Sequence, residues 1–166
     1  QEREERTMKK NYQAAIIGCV HVPFQDKKAV GVTMKILAQE QPELIILAGD
    51  ILDCYSISRF PKAKNRLMEF QWEIDQTKKF ITNIQKTCPR SKLVYQSGNH
   101  EKRIETYLAS HARELQSLNC LDLPELLGLT ESGIEYVQYG ELYPITQQFC
   151  VTHGTVIRQQ AGASAM

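Results

Sequence analysis

The chain has 166 residues, 42% hydrophobic and 23% charged, a composition that fits one globular domain and excludes wholesale disorder, collagen and a long coiled coil. Twenty Lys and Arg nearly cancel nineteen Asp and Glu, so a net charge of +1 supplies no overall field that would select nucleic acid or an anionic membrane. The longest apolar runs, Ala14–Val20 and Leu44–Ala48, are far shorter than the ~20 residues that cross a bilayer, and no membrane partner is expected.

Residues 1–12, opening on the charged run Gln1–Arg6, read as a flexible N-terminal segment, and 13–166 as one domain. Ala14–Val20 is short and continuously apolar, the pattern of a buried strand, and Pro23 cannot continue it. Asp26 then offers an N-cap for a helix running to about Gln41, with Pro42 just beyond. Leu44–Ala48 is a second buried strand ending at Gly49-Asp50. From Ala63 to Thr87, Leu67, Phe70, Ile74, Thr77, Ile81 and Ile84 recur three or four apart, which is one face of a helix. Lys92–Gln96 follows as a third strand closed by Gly98, and Ile104, Leu108 and Leu115 predict a helix from about Lys102 to Leu118. The short runs 134–137, 141–145 and 149–152 suggest antiparallel strands with a hairpin near the end. Alternating strands and helices in the first two thirds predict an α/β layered sheet with parallel neighbours, its loops meeting at one edge. Five cysteines stand singly at 19, 54, 88, 120 and 150, with no CxxC pair, which points to a reducing, cytoplasmic setting.

Residues able to hold metal or move protons cluster just after the strands: Cys19-Val20-His21, Gly49-Asp50-Ile51-Leu52-Asp53, Gly98-Asn99-His100-Glu101 and His153-Gly154. Neighbouring strand ends lie about 5 Å apart, so the four motifs can converge on one site. Imidazoles, a carboxylate and an amide oxygen form a ligand set for a divalent transition metal.

In these motifs the chain resembles the calcineurin-like metallophosphoesterases, whose pattern runs DxH, GDxxD, GNH followed by Asp or Glu, a histidine before glycine, and GHxH. It looks most like the small phosphoesterases of phage and prophage genomes. The resemblance implies a four-layer α/β/β/α sandwich, a phosphate ester substrate (monoester or diester), and two divalent metal ions drawn from Mn, Zn, Fe, Ni or Mg. It further implies Asp50 as the ligand shared by both metals, His21 as a ligand of the first, and Asn99 and His153 as ligands of the second. His100 would protonate the leaving alkoxide, a task suited to a group titrating near neutrality. Asp53 would orient His21.

Two features depart from the pattern. The first aspartate is replaced by Cys19, and no GHxH follows His153-Gly154 before Met166. The expectation is therefore a domain whose C-terminal portion is missing, with weak or no hydrolysis. Cys19 is either a thiolate ligand favouring zinc or a small buried hydrophobe. A catalytically degenerate binding domain on the same fold is the alternative function. Outside the motifs, Lys62, Lys64 and Arg66 form a basic cluster that could touch a nucleic-acid backbone or simply be a solvated surface. Glu101 fits a helix N-terminal acid, and Lys102 and Arg103 either attract phosphate or face solvent.

Overall fold

A computed structural model of the chain describes residues 13–66 and 68–154. The expected flexible segment 1–12, Leu67 of the anticipated helical stripe, and the tail beyond 154 lie outside the described residues. Four strands, β1 (Ala14–Ile17), β2 (Leu44–Ala48), β3 (Lys92–Gln96) and β4 (Glu135–Val137), form a parallel sheet in that order. Their registers are Ala14↔Leu44, Leu44↔Lys92 and Val94↔Glu135. Because every strand runs the same way, all their C-terminal ends lie on one edge.

The helix α1 (Lys27–Glu40) begins where the sequence places it, with Asp26 Oδ1 accepting from the amides of Lys28 and Ala29 at 2.8 and 3.1 Å. The helix α2 (Phe70–Thr87) buries Ile74, Thr77, Ile81 and Ile84 as expected, but starts seven residues later than the periodicity suggests. Lys64–Arg66 form a separate 3-10 turn, and Glu69 is extended at the cap, so α2 begins only at Phe70. The helix α3 (Lys102–His111) ends before Leu118: Ala112 leaves the helical region at φ −150°, Arg113–Leu115 form a 3-10 turn, and Leu115 is exposed.

Two further differences have physical causes. The expected buried strand β1 is the edge of the sheet among the described residues, leaving Ile16 52% exposed. And β4 pairs parallel to β3, where an antiparallel strand was anticipated. The cause is a helix that sequence periodicity is too short to reveal, α4 (Leu123–Leu127), with Pro124 in its first turn and Gly128 at φ +65° closing it. It completes the crossover that parallel neighbours require. The anticipated hairpin is present: β5 (Tyr143–Pro144) and β6 (Cys150–Val151) pair antiparallel.

Alternation along the strands builds two cores. Ile45, Leu47, Leu93 and Tyr95 point to the helices, meeting Leu37, Ile74, Ile81, Ile84, Ile104 and Leu127. Leu44, Ile46, Val94 and Val137 point the other way, against Tyr143, Ile145 and Val151 of the hairpin. The architecture is the mixed α/β arrangement expected, with helices, sheet and hairpin as the layers supplied by the described residues.

Candidate metal centre

The loops leaving β1 and β2 stay joined after the strands end. Cys19 N donates to Gly49 O at 3.0 Å, His21 N to Asp50 O at 2.9 Å, Val22 N to Ile51 O at 2.7 Å, and Asp53 N to Val22 O at 3.0 Å. Cys19, His21 and Asp50 have φ of 52°, 55° and 53°, the left-handed region that L-residues enter at a cost of order 1 kcal/mol each. Three such residues in one site indicate a backbone held for the sake of side-chain direction. Close approach explains two glycines: a Cβ at Gly98 would collide with Asp50, and one at Gly49 with the His153 ring.

The brace for this backbone is Glu101. Its carboxylate, on a residue 2% exposed, accepts at Oε2 from Asp50 N (3.0 Å) and Gly98 N (2.9 Å). Its Oε1 accepts from Ile51 N (2.8 Å), Leu52 N (2.9 Å) and the Tyr95 hydroxyl (2.8 Å). Burial and the Glu101 charge push the Tyr95 phenol well above its ordinary value, which keeps it a donor. The side chain makes no cap hydrogen bond to α3, so its work is in the sheet edge rather than in the helix dipole.

All seven residues singled out in the sequence meet at this edge. Donor atoms of Cys19, His21 and Asp50 lie within 4.8 Å of one another, as do those of His21, Asp53 and His100. His153 Nε2 is 3.5 Å from Asp50 Oδ2 and 3.0 Å from Asn99 Oδ1. His21 Nδ1 lies 3.2 Å from Asp53 Oδ2 without completing a hydrogen bond, and is buried. His100 donates its backbone amide to Asp50 Oδ1 at 2.9 Å, and its Nδ1 meets the Asp53 carbonyl at 2.8 Å.

Arg103, one turn beyond His100 on α3, reaches Asp53 O with one guanidinium nitrogen at 2.9 Å and His100 Nε2 with another at 3.0 Å. Of the two roles its sequence position leaves open, attracting phosphate or facing solvent, these contacts and its half-buried position favour the site face. Burial draws the His100 pKa down, but hydrogen bonding to Asp53 and the Asp50 charge outweigh it and hold the pKa above its ordinary value. Burial likewise opposes ionisation of Asp53, yet the His100 hydrogen bond and the charges of His100, His21 and Arg103 hold its carboxyl below the usual range. Cys19 is exposed, not the small buried hydrophobe that the sequence offers as the alternative to a ligand, and desolvation with the charges of Asp50 and Glu101 raises its thiol.

The donor set fits a divalent ion. With Nδ1 of His153 donating to Ala48 O at 3.0 Å, its Nε2 lone pair faces the Asn99 and Asp50 oxygens. A ring-nitrogen lone pair set against two oxygens is repelled unless a cation or proton lies among them. His21 also offers a ring nitrogen within 4.8 Å of donor atoms of Cys19 and Asp50. His21, Asp50, Asn99 and His153, with Cys19 as the soft member, are the residues able to hold metal here.

Comparison with known proteins agrees with the geometry. The family model described as calcineurin-like phosphoesterase matches residues 12–162. The chain is similar to the Gene 54 protein of Mycobacterium phage L5, 25% identical over 144 residues, covering 84% of this chain and 55% of that protein. It is similar to the Gene 54 protein of Mycobacterium phage D29 at 26% over 145 residues, with the same coverage of each chain. The chain thus spans about half the length of these relatives. No solved structure matches it significantly.

Proposed function

The chain belongs to the calcineurin-like phosphoesterase family, and from that premise we propose that the sheet edge is a metal-dependent centre for hydrolysing phosphate monoesters or diesters. The observation that carries this reading is the approach of His153 Nε2 to both Asn99 Oδ1 and Asp50 Oδ2, with donor atoms of Cys19 and His21 gathered on the same Asp50. Asp50, between the two groups, is the residue able to serve both. Divalent ions, when bound, supply positive charge for the phosphate oxygens and acidify water.

The chain's own residues then perform positioning and proton transfer. Asp53 O fixes the proton of His100 on Nδ1, which leaves Nε2 as the atom that carries a second proton to the leaving alkoxide. In the resting chain the Arg103 guanidinium donates to an unprotonated His100 Nε2, so it must turn away, to a phosphate oxygen, before Nε2 carries its proton. Glu101 fixes Asp50 through the backbone, so the shared ligand does not depend on the metal for its direction. Five cysteines without a disulfide are in keeping with action in a reducing cytoplasm.

A second reading, a degenerate domain that binds without hydrolysing, is favoured by Cys19, whose raised pKa keeps a proton where the family pattern has a carboxylate. Metal content after loading with Mn or Zn, measured together with hydrolysis of p-nitrophenyl phosphate and its bis ester, separates the two. The phosphoesterase reading expects retained metal, with hydrolysis lost and metal kept in His100→Ala. A chain that retains no metal and hydrolyses neither ester overturns it.

A further inference from the structure

Between Cys54 and Met68 the chain carries Arg59, Lys62, Lys64 and Arg66 and no acidic residue, although its net charge is only +1. All four cations are exposed. Residues 55–66 form a built loop. Glu73, fully buried on α2, accepts from the amides of Tyr55 and Ser56 at 2.8 Å and from the Ser56 hydroxyl. The Ser56 hydroxyl also reaches Met68 O, Lys62 donates to Ser56 O, and Ala63 N donates to the Tyr55 hydroxyl at 2.7 Å, which closes the loop on itself.

Aromatic rings interleave with these charges. Phe24 packs edge-on against Tyr55 with centroids 5.3 Å apart, Arg66 lies over Phe24 at 4.9 Å, and Arg59 over Phe60 at 5.4 Å. Phe60 is 59% exposed. The loop is rooted in the metal centre at two points: Asp53 stands two residues before Tyr55, and Phe24 N bonds back to His21 O.

We propose that this loop is a track for single-stranded nucleic acid leading to the centre, so that the substrate class is a polynucleotide phosphodiester. Binding by the loop stands on the charge and aromatic pattern alone; the substrate clause rests on the phosphoesterase reading. Cations without interspersed acids neutralise a phosphate backbone, and an exposed ring flanked by guanidinium offers a base a face to stack on. An acidic peptide has no use for that face. A membrane surface would want a wider apolar face than one phenylalanine.

The test is fluorescence anisotropy of the unaltered chain with a labelled oligothymidylate about 16 nucleotides long, near the upper site size of such modules, in EDTA so that nothing is cleaved. Four backbone contacts predict a log–log salt slope of about −3 at roughly −0.7 per contact. Arg59→Gln/Lys62→Gln/Lys64→Gln/Arg66→Gln should flatten the slope and weaken binding about tenfold or more at low salt. Phe60→Ala should weaken it about fivefold with the slope unchanged. Lys86→Gln/Arg90→Gln, exposed at the far end of α2, should bind as the unaltered chain does, and circular dichroism melting checks that every variant folds.

Equal weakening in the far-end pair overturns the track, as does binding only to phosphatidylserine vesicles or absence of oligonucleotide binding. Separate assay of bis-p-nitrophenyl phosphate keeps the two ideas apart. Oligonucleotide binding by a chain that retains no metal and hydrolyses neither ester overturns the phosphoesterase reading and keeps the track, whereas hydrolysis without oligonucleotide binding does the reverse.

Discussion

Asp50 N donates to Glu101 Oε2 at 3.0 Å across 51 residues of sequence, tying the shared metal-ligand candidate to a buried carboxylate on the neighbouring loop. Because the same carboxylate also takes Gly98 N, Ile51 N, Leu52 N and the Tyr95 hydroxyl, it organises two of the four converging motifs at once. The polar site is thereby set by folding, before any ligand arrives.

Glu101→Gln puts an amide NH2 among backbone donors that need an acceptor. The expected loss is about 3 kcal/mol or more of unfolding free energy in the metal-free chain, the cost of leaving buried donors unpaired. Urea denaturation in EDTA measures it. Glu105→Gln, on an exposed residue of the same helix, serves as the reference and should change stability by no more than about 0.5 kcal/mol.

Cys19→Asp restores a hard oxygen donor beside His21 and Asp50. A carboxylate needs no deprotonation near neutral pH, whereas the thiol is held above its ordinary pKa. Manganese retained after desalting should rise in this variant, while preference for zinc over manganese falls. Elemental analysis of both proteins, loaded with equimolar Mn and Zn, reads the change; an unaltered metal ratio would place Cys19 outside the ligand set.

Arg103→Lys keeps the charge but loses the fork that spans Asp53 O and His100 Nε2. Hydrolysis of the bis ester should fall by about tenfold to a hundredfold in kcat, with Arg103→Ala no more than slightly worse, because a single ammonium cannot make both contacts. Metal content should stay as it is in the unaltered chain. A fall in metal content instead would mean that Arg103 supports the ligands rather than His100.

The candidate residues were legible because strand ends collect chemistry: His21, Asp50, Asn99 and His100 follow strands that parallel pairing brings to one edge, and His153 follows β6 of the antiparallel hairpin packed beside that sheet. What supports them was less legible. Glu101 reads as a helix-start acid until its five donors, which come from three separate places in the sequence, are in view. Glu73 had a signal, standing four residues before Thr77 on the buried stripe of α2, yet a carboxylate there has meaning only once the Tyr55 and Ser56 amides are seen to need an acceptor. The parallel pairing of β4 was hidden because α4 has five residues, too few to show a helical period.

Asp53 and His100 supply a pH signature of the metal-free fold. The Asp53 carboxyl is held below its ordinary 3.8, so its contribution is present above that value and is lost as pH falls through the lower folded value. The His100 pKa is held above its ordinary 6.5, so its contribution is complete below 6.5 and is lost as pH rises through the higher folded value. The pair should therefore stabilise the chain most between these limits. Urea unfolding in EDTA across this range should show that plateau in the unaltered protein. Asp53→Asn should flatten both flanks, because it removes the carboxylate that favours the imidazolium while leaving the Asp53 carbonyl to hold Nδ1. Flanks that persist unchanged in Asp53→Asn would assign the signature to other titrating groups.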